Sequence, residues 1–299
     1  MSVGGASAAT RRTVAFLRRF VRPRILSLTA PLRGLQRLVE MLSPERRAPF
    51  AAEIPGDWTP ASGSAIATLF YVHGGAYLIG SPRLFRYASR LFAHAGFDVF
   101  APAYRLAPEH IFPAALEDVL RAYRTLIEAR PGPFVIVGDS AGGGLAVSLL
   151  LRIRDEGLRP PVAVALSSPW VDLAATGGSM RENEERDPLF TRKDILLGAR
   201  AVLGRQSGKN PLASPIYADL SHLPPMLVHV GADEVLRDDS TRLVARARQA
   251  GVDAQLEIWP CVPHAWQLMS FLPEARDSRA KAIEFLKAWV AQAPSNAAG

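Results

Sequence analysis

A short apolar run and a glycine-rich turn, FVIVGDSAGG, follow one another at residues 134–143. The run has the composition of a buried strand, and residues 145–152 after the turn have the apolar spacing of a helix. A serine between glycines at such a turn projects its hydroxyl from a sharp bend, because glycine tolerates the strained backbone and the close packing. A serine hydroxyl is a poor nucleophile unless a base activates it. The stretch therefore predicts that Ser140 is a nucleophile held above the end of a strand.

Two other interpretations of this turn are a simple glycine-rich entry into a helix and a phosphate-binding loop. The pattern G-x-G-x-x-G is interrupted, because Val147 stands where the third glycine belongs. No lysine in the chain lies between a glycine and a serine or threonine, so the P-loop pattern is also missing. The strand-to-helix context favours the nucleophile over the remaining alternative.

Apolar runs of strand length recur along the chain, with helical patterns between them. The strand-like runs are 67–72, 98–103, 134–138, 162–167, 226–230 and 254–259, and the helical patterns are 113–130, 141–156, 238–250 and 274–290. This alternation predicts the α/β class, with a mostly parallel sheet flanked by crossover helices. Residues 1–50 and a polar stretch at about 174–208 do not fit the alternation. Both are expected to be covering elements, and a plain surface excursion stays open for the second.

The composition limits the classes of function. The chain of 299 residues has 48% hydrophobic residues and one cysteine, Cys261, which excludes an intrachain disulfide and suits a reducing compartment. Residues 1–50 hold ten arginines against two glutamates, a net charge of +8, whereas the rest of the chain carries −1. This basic segment lacks aromatic base platforms and any DNA-binding motif, so we expect no nucleic-acid partner.

No apolar run approaches the length of a membrane span and no secretory signal is recognisable, which predicts a cytoplasmic protein without stable membrane insertion.

A second glycine-rich turn, His73-Gly74-Gly75-Ala76, ends the strand-like run at 67–72. The backbone N–H groups of Gly74 and Gly75, together with that of Ala141, are predicted to stabilise the negative oxygen of a tetrahedral intermediate. The alternative is a turn that merely ends the strand.

The general base and its supporting acid are sought after the nucleophile in the chain. His264 lies in the loop after the last strand-like run, which favours it as the base. Asp233 follows the run at 226–230 and the turn Gly231-Ala232, and is predicted to be the acid. Its neighbours Glu234, Asp238 and Asp239 are rivals that we expect to begin or cap the next helix.

Four motifs occur in order: HGGA at 73–76, YRLAPE at 104–109, GDSAGG at 138–143 and DEVLRDD at 233–239. Over residues 65–290 the chain resembles the hormone-sensitive-lipase-like esterases. The resemblance implies an α/β-hydrolase fold, with a catalytic domain at 51–299 and a helical cap built from 1–50 and about 174–208. It also implies the triad Ser140, Asp233 and His264, and the oxyanion hole Gly74, Gly75 and Ala141. The chain departs from the family at Ala76, where many relatives have a third glycine, and at Glu234-Val235-Leu236, where many have Pro-Leu after the acid.

The resemblance implies a serine carboxylesterase that cleaves short- to medium-chain esters through an acyl-serine, without a metal or organic cofactor. A lactone hydrolase or a deacetylase of small metabolites with the same triad is the alternative. A non-catalytic ligand receptor on the same fold is more remote, because the receptors related to this family have lost the histidine that His264 supplies. Relatives often dimerise through an exposed final strand, so a homodimer is also open.

Overall fold

A single seven-stranded sheet forms the centre of the computed structural model, which describes residues 5–25, 27, 29–51 and 53–293. The strands are Gly56–Thr59 (β1), Ala67–Val72 (β2), Phe97–Pro102 (β3), Phe134–Asp139 (β4), Ala163–Ser167 (β5), Met226–Gly231 (β6) and Ala254–Trp259 (β7). Their order is β1-β3-β2-β4-β5-β6-β7; β1 is antiparallel to β3, and the other neighbours are parallel. The predicted α/β class and the mostly parallel sheet are confirmed.

Helices cover both faces of the sheet. They are Ala8–Phe16 (α1), Thr29–Leu42 (α2), Arg86–His94 (α3), Ala114–Ala129 (α4), Ala141–Asp155 (α5), Ser179–Glu182 (α6), Arg192–Leu203 (α7), Arg237–Gln249 (α8) and Pro273–Gln292 (α9). One hydrophobic core takes its side chains from α4, α5 and α8, and a second core takes them from α3 and α9. This two-sided burial explains why the central parallel strands are apolar along their whole length.

Two elements of the fold were not predicted from the sequence, the edge strand β1 and the helix α3. The sequence of β1, GDWT, is short and has a carboxylate in the middle. Asp57 is nevertheless fully buried, because the Arg86 guanidinium of α3 pairs with it at 2.5 and 2.8 Å. The charge that made this strand look like a loop is therefore neutralised by a side chain 29 residues away.

The two segments that did not fit the alternation lie over the catalytic end of the sheet. In α2, Arg33 donates to the Leu78 carbonyl and pairs with Glu109 at 2.7 Å. Gln36 of the same helix accepts the Gly80 N–H at 2.8 Å. Within the described ranges, no helix is both long enough and apolar enough to cross a bilayer.

Candidate active site

Ser140 lies between the end of β4 and the first turn of α5. Its backbone has φ 54° and ψ −125°, a conformation that costs an L-residue about 1–3 kcal/mol. Hydrogen bonds fix it there: the Ser140 N–H donates to the Ser167 carbonyl at 2.8 Å, and the Trp170 N–H donates to the Ser140 carbonyl at 2.9 Å. The sharp turn predicted at Ser140 is thus present, and hydrogen bonds to and beyond the neighbouring strand β5 stabilise its strained backbone.

Glycine is required at position 142 because α5 begins directly against the end of β2. A Cβ atom at Gly142 would lie 2.2 Å from the Val72 carbonyl oxygen and 2.3 Å from that of His73. Both are backbone atoms and cannot move aside independently. A side chain here would push the nucleophile away from the HGGA turn that it faces.

His264 lies beside the nucleophile, as predicted. Its Nε2 is 2.7 Å from the Ser140 Oγ, in range for the hydroxyl to donate to the imidazole. The ring is buried, and the Phe190 ring packs edge-on against it with centroids 5.1 Å apart. The imidazole therefore has a fixed orientation between the serine and its second partner.

That second partner is Glu234, and the prediction of Asp233 at this position is wrong. The His264 Nδ1 lies 2.6 Å from the Glu234 Oε2, and Glu234 is completely buried. Asp233 is only half-buried, in the turn between β6 and α8. The expectation that Glu234 begins or caps the next helix fails for the same reason, since its carboxylate turns inward.

The turn geometry explains the shift of one residue. The Glu234 N–H donates to the Gly231 carbonyl at 3.2 Å and so closes a tight turn. This turn directs the Glu234 side chain back to the end of β6. The Gly231 N–H then donates to the Glu234 Oε1 at 2.6 Å. One signal in the sequence indicated this register: if Val235-Leu236 occupies the place of the family's Pro-Leu, the preceding acid is Glu234.

The Glu234 carboxylate is held by a further hydroxyl that the sequence did not single out. Ser168, after β5, donates its Oγ–H to the Glu234 Oε1 at 2.6 Å. The Ser168 Oγ in turn accepts the N–H of Ala265, the residue after the histidine, at 3.3 Å. Ser168 therefore ties the acid to the histidine loop.

The excursion at about 174–208 braces the acid turn through two buried side chains. The Asn183 amide donates to the Ala232 and Glu234 carbonyls at 2.9 and 2.8 Å. The Asp187 Oδ2 accepts the Val235 N–H at 2.8 Å, and its Oδ1 accepts the Phe190 N–H at 2.9 Å. Asp187 thus connects the aromatic ring on His264 to the loop that carries Glu234.

Three carboxylates raise the pKa of the His264 imidazole. Burial is the largest influence and lowers the pKa of His264, but the charge and hydrogen bond of Glu234, together with the charges of Asp187 and Asp139, outweigh it, so the pKa is raised above its usual 6.5. Burial raises the pKa of Asp187 to about 6 and that of Asp139 to about 6. A protonated imidazole at this position is therefore electrostatically favoured.

The HGGA turn faces Ser140, but the N–H of its first glycine, Gly74, has a different partner from the predicted oxyanion. The Gly74 N–H donates to the buried Asp139 carboxylate, whose other partner is the Tyr71 hydroxyl at 2.7 Å. Gly75 and Ala76, not Gly74, border the cavity at Ser140. The structure therefore replaces Gly74 with Ala76 in the set of amides near the nucleophile. Ala141 is the first residue of α5, where a helical N–H has no partner within the helix.

A largely apolar cavity of about 220 Å³ opens onto Ser140 and His264. Its wall combines residues of the body with residues of both covering segments: Ile25, Thr29, Leu32, Gly75, Ala76, Leu78, Ile79, Phe85, Trp170, Phe190, Asp194, Ile195, Gly198, Leu236, Ala265 and Leu268. Among the described side chains, no group of three or more His, Cys, Asp and Glu residues is placed to bind a metal ion. The cavity can hold a small apolar acyl or alcohol group beside the nucleophile.

Cys261 lies three residues before His264 but is exposed at the surface of the loop. We expect Cys261→Ser to retain activity within about twofold of the wild type, because a small exposed side chain outside the hydrogen-bonded site has no chemical task there. Steady-state kinetics on an aryl ester tests this expectation. A severe loss in a protein that is still folded would contradict it.

Comparison with known proteins places the chain in a family. A family model described as an α/β-hydrolase fold matches residues 69–268. An acetyl-hydrolase of Streptomyces hygroscopicus is 41% identical over 235 residues, covering 77% of this chain and 79% of that protein. An esterase of Acinetobacter venetianus is 34% identical over 240 residues, covering 78% and 79%.

Solved structures extend the similarity to nearly the whole chain. An esterase from the bacterial hormone-sensitive lipase family is 37% identical, with a TM-score of 0.83 over 95% of this chain and 99% of that one. EstE5, in a crystal soaked with p-nitrophenyl butyrate, is 34% identical, with a TM-score of 0.85 over 96% of this chain and all of the other. The chain therefore belongs to the α/β-hydrolase fold family and, within it, to the hormone-sensitive-lipase-like bacterial esterases.

Proposed function

We propose that this chain is a serine carboxylesterase whose triad is Ser140, His264 and Glu234. The observation that carries the proposal is the continuous hydrogen-bonded series from the Ser140 Oγ through the imidazole to the Glu234 carboxylate, at 2.7 and 2.6 Å. The series ends at an apolar cavity rather than in the core. Geometry of this kind activates a serine hydroxyl toward a carbonyl carbon.

In the proposed reaction, His264 Nε2 takes the proton of Ser140 as the Oγ attacks the ester carbonyl. Glu234 accepts the Nδ1–H, fixes the tautomer and stabilises the imidazolium. The imidazolium then protonates the leaving alcohol, and an acyl-serine remains. Water, deprotonated by the same imidazole, releases the acid and regenerates the serine.

We propose that the amides of Gly75, Ala76 and Ala141 stabilise the oxyanion. Gly75 and Ala76 border the cavity next to Ser140, and Ala141 follows Ser140 at the start of a helix, where the backbone N–H groups carry partial positive charge. Asp139 holds the loop from behind by accepting the Gly74 N–H. The negative charge of a tetrahedral intermediate would thus meet donors that need no rearrangement.

The cavity supports small esters as the substrate class. At about 220 Å³ it lies below the usual range of drug-sized ligand pockets, roughly 300–1,000 Å³, which favours short- to medium-chain acyl groups. The similarity to an acetyl-hydrolase makes the deacetylation of a small metabolite the second candidate. A series of aryl esters of increasing acyl length, with lactones and N-acetylated amines assayed alongside, distinguishes them.

We also propose a cytoplasmic location, which a single cysteine suits.

The raised pKa of His264 predicts the acid limb of the pH profile. The base works only as the neutral imidazole, so kcat/KM should fall as the pH drops through the pKa of His264, with a midpoint above pH 6.5. The Glu234→Gln variant should show a lower midpoint in its residual activity, because the negative charge that raises this pKa is gone. Initial rates across the pH range measure both midpoints. A wild-type midpoint below 6.5 would contradict the proposed pairing.

We propose that residues 1–50 and about 174–208 form a cap that sets chain-length selectivity. Ile195 of α7 lines the cavity and is 5% exposed. Ile195→Ala should therefore raise kcat/KM for longer acyl esters relative to acetate several-fold, since removing three carbons deepens the cavity. Leu203→Ala is the matched control, because Leu203 is equally buried on the same helix but lies outside the cavity wall. An identical change of selectivity in both variants would count against the cap as the selective element.

A further inference from the structure

The N-terminal helices present large apolar side chains to solvent. Seven are between 36% and 79% exposed: Phe16, Phe20, Leu32, Leu35, Leu38, Met41 and Leu42. They are half of the fourteen large exposed hydrophobic residues in the described part of the chain, although they come from fewer than thirty positions. We call these seven residues the outer apolar face. A concentration of exposed apolar side chains in one segment is uncommon on a protein without a partner.

Helix α2 shows that this face is directed away from the body of the protein. Its polar side contacts the catalytic domain, where Arg33 donates to the Leu78 carbonyl and Gln36 accepts the Gly80 N–H. Its exposed apolar residues, Leu35, Leu38 and Met41, recur at the three-residue spacing that places side chains on one side of a helix. A helix packed for core burial alone would have the opposite polarity.

The same segment carries a positive charge that the protein does not neutralise. Within the described ranges, the arginines of residues 5–51 that meet a carboxylate are Arg33, with Glu109, and Arg47, with Glu45. Other arginines near the outer apolar face donate to backbone carbonyls, as Arg18, Arg22 and Arg24 do, or lie exposed, as Arg12 and Arg19 do. Arg37 is also exposed, but its charge acts on Glu109. Residues 1–50 hold a net charge of +8.

We propose that the outer apolar face and its arginines dock this protein on an anionic lipid surface. Exposed Phe, Leu and Met next to uncompensated arginine is the pattern of helices that lie in a membrane interface. A second copy fits less well, because a twofold interface would set the same positive segment against itself. Since no helix of the described chain is suited to span a bilayer, the contact is peripheral.

The docked orientation places the cavity entrance at the lipid. Ile25, Thr29 and Leu32 line the cavity, and Leu32 also belongs to the outer apolar face. An ester dissolved in the lipid could then reach Ser140 between these residues without crossing bulk water. This consequence rests on the proposed function, whereas the docking depends only on the surface.

Sedimentation with vesicles tests the docking. The full chain should bind phosphatidylcholine vesicles containing about 30% phosphatidylglycerol and be released by about 0.5 M NaCl, where surface charges are screened. It should bind pure phosphatidylcholine vesicles weakly. The Ser140→Ala protein should bind as the wild type does, so that loss of catalysis and loss of docking are separate results.

Matched variants locate the contact. Arg12→Gln/Arg19→Gln/Arg24→Gln should weaken binding about a hundredfold, since each cation near an anionic surface contributes to affinity. Leu35→Ser/Met41→Ser should also weaken it strongly. The controls, Arg90→Gln/Arg205→Gln/Lys287→Gln and Ile258→Ser/Phe271→Ser, remove exposed residues of the same kinds elsewhere and should bind normally.

Three results would overturn the proposal. The first is binding that does not depend on lipid charge. The second is equal loss of binding in the N-terminal variants and their controls. The third is a concentration-dependent dimer, measured by sedimentation velocity, that Leu35→Ser/Met41→Ser abolishes, because a second copy would then cover the face.

Discussion

Replacing Ser140 with alanine is expected to abolish ester hydrolysis and covalent labelling by a fluorophosphonate. The hydroxyl supplies the atom that attacks the carbonyl, and its neighbours in the elbow offer no replacement. In a serine protease dissected residue by residue, loss of the nucleophile lowers kcat about a million-fold, and we expect a loss of similar order here. Initial rates with an activated aryl ester measure the loss of hydrolysis, and mass spectrometry of the protein after treatment with the fluorophosphonate measures the loss of labelling.

Ser148→Ala is the matched control for that experiment. Ser148 is a buried serine within α5, and its hydroxyl donates to the Gly144 carbonyl of the same helix. Its removal should leave labelling and turnover near normal. Labelling that persists in the Ser140→Ala protein would show that another residue is the nucleophile.

Exchange of Glu234 for glutamine should be nearly as damaging, with kcat lower by about ten-thousandfold. An amide in place of the carboxylate favours the wrong imidazole tautomer and removes the charge that stabilises the imidazolium, as in the serine-protease example. Glutamine keeps the shape of the side chain, so Ser168 and Gly231 retain an oxygen to donate to. Rate measurements on protein with a wild-type circular dichroism spectrum give the comparison.

Asp233→Asn is the neighbouring control and should change kcat only a few-fold. Asp233 is half-buried in the turn, while the His264 Nδ1 is occupied by Glu234. If Asp233→Asn were the more harmful change, the geometry described for the acid would not be the catalytic one.

The sheet and the position of Ser140 at a strand-to-helix turn were predictable because their signals are local. The run at 67–72 and the run at 254–259 became strands at those limits, and Ser140 needed only the strand, turn and helix on either side of it. A parallel sheet buried on both faces leaves long apolar runs that stand out from the helices between them. Edge strand β1 lacks this signal because it is short and its carboxylate has a distant partner.

The proposed acid and the proposed oxyanion amides each lie one residue after the predicted ones, for a shared physical reason. Asp233 and Glu234 are adjacent carboxylates in one turn, and local preferences do not decide which of them points inward. That choice depends on Ser168 and Asn183, which lie more than fifty residues away in sequence. Likewise, the Gly74 N–H is withdrawn from the cavity by Asp139, a partner that becomes visible only once β2 and β4 are side by side.

The bracing of the acid turn by Asn183 and Asp187 has a consequence for how such enzymes can diversify. The segment that shapes the pocket also holds the backbone on both sides of the catalytic acid. A recombinant in which this segment is exchanged for that of a relative would inherit a new selectivity together with a new support for Glu234. Exchanges that keep an amide at 183 and a carboxylate at 187 should therefore yield active chimaeras. Chimaeras without these two groups should still fold but turn over slowly, so natural selection or a directed-evolution experiment would reject them for low activity rather than for misfolding.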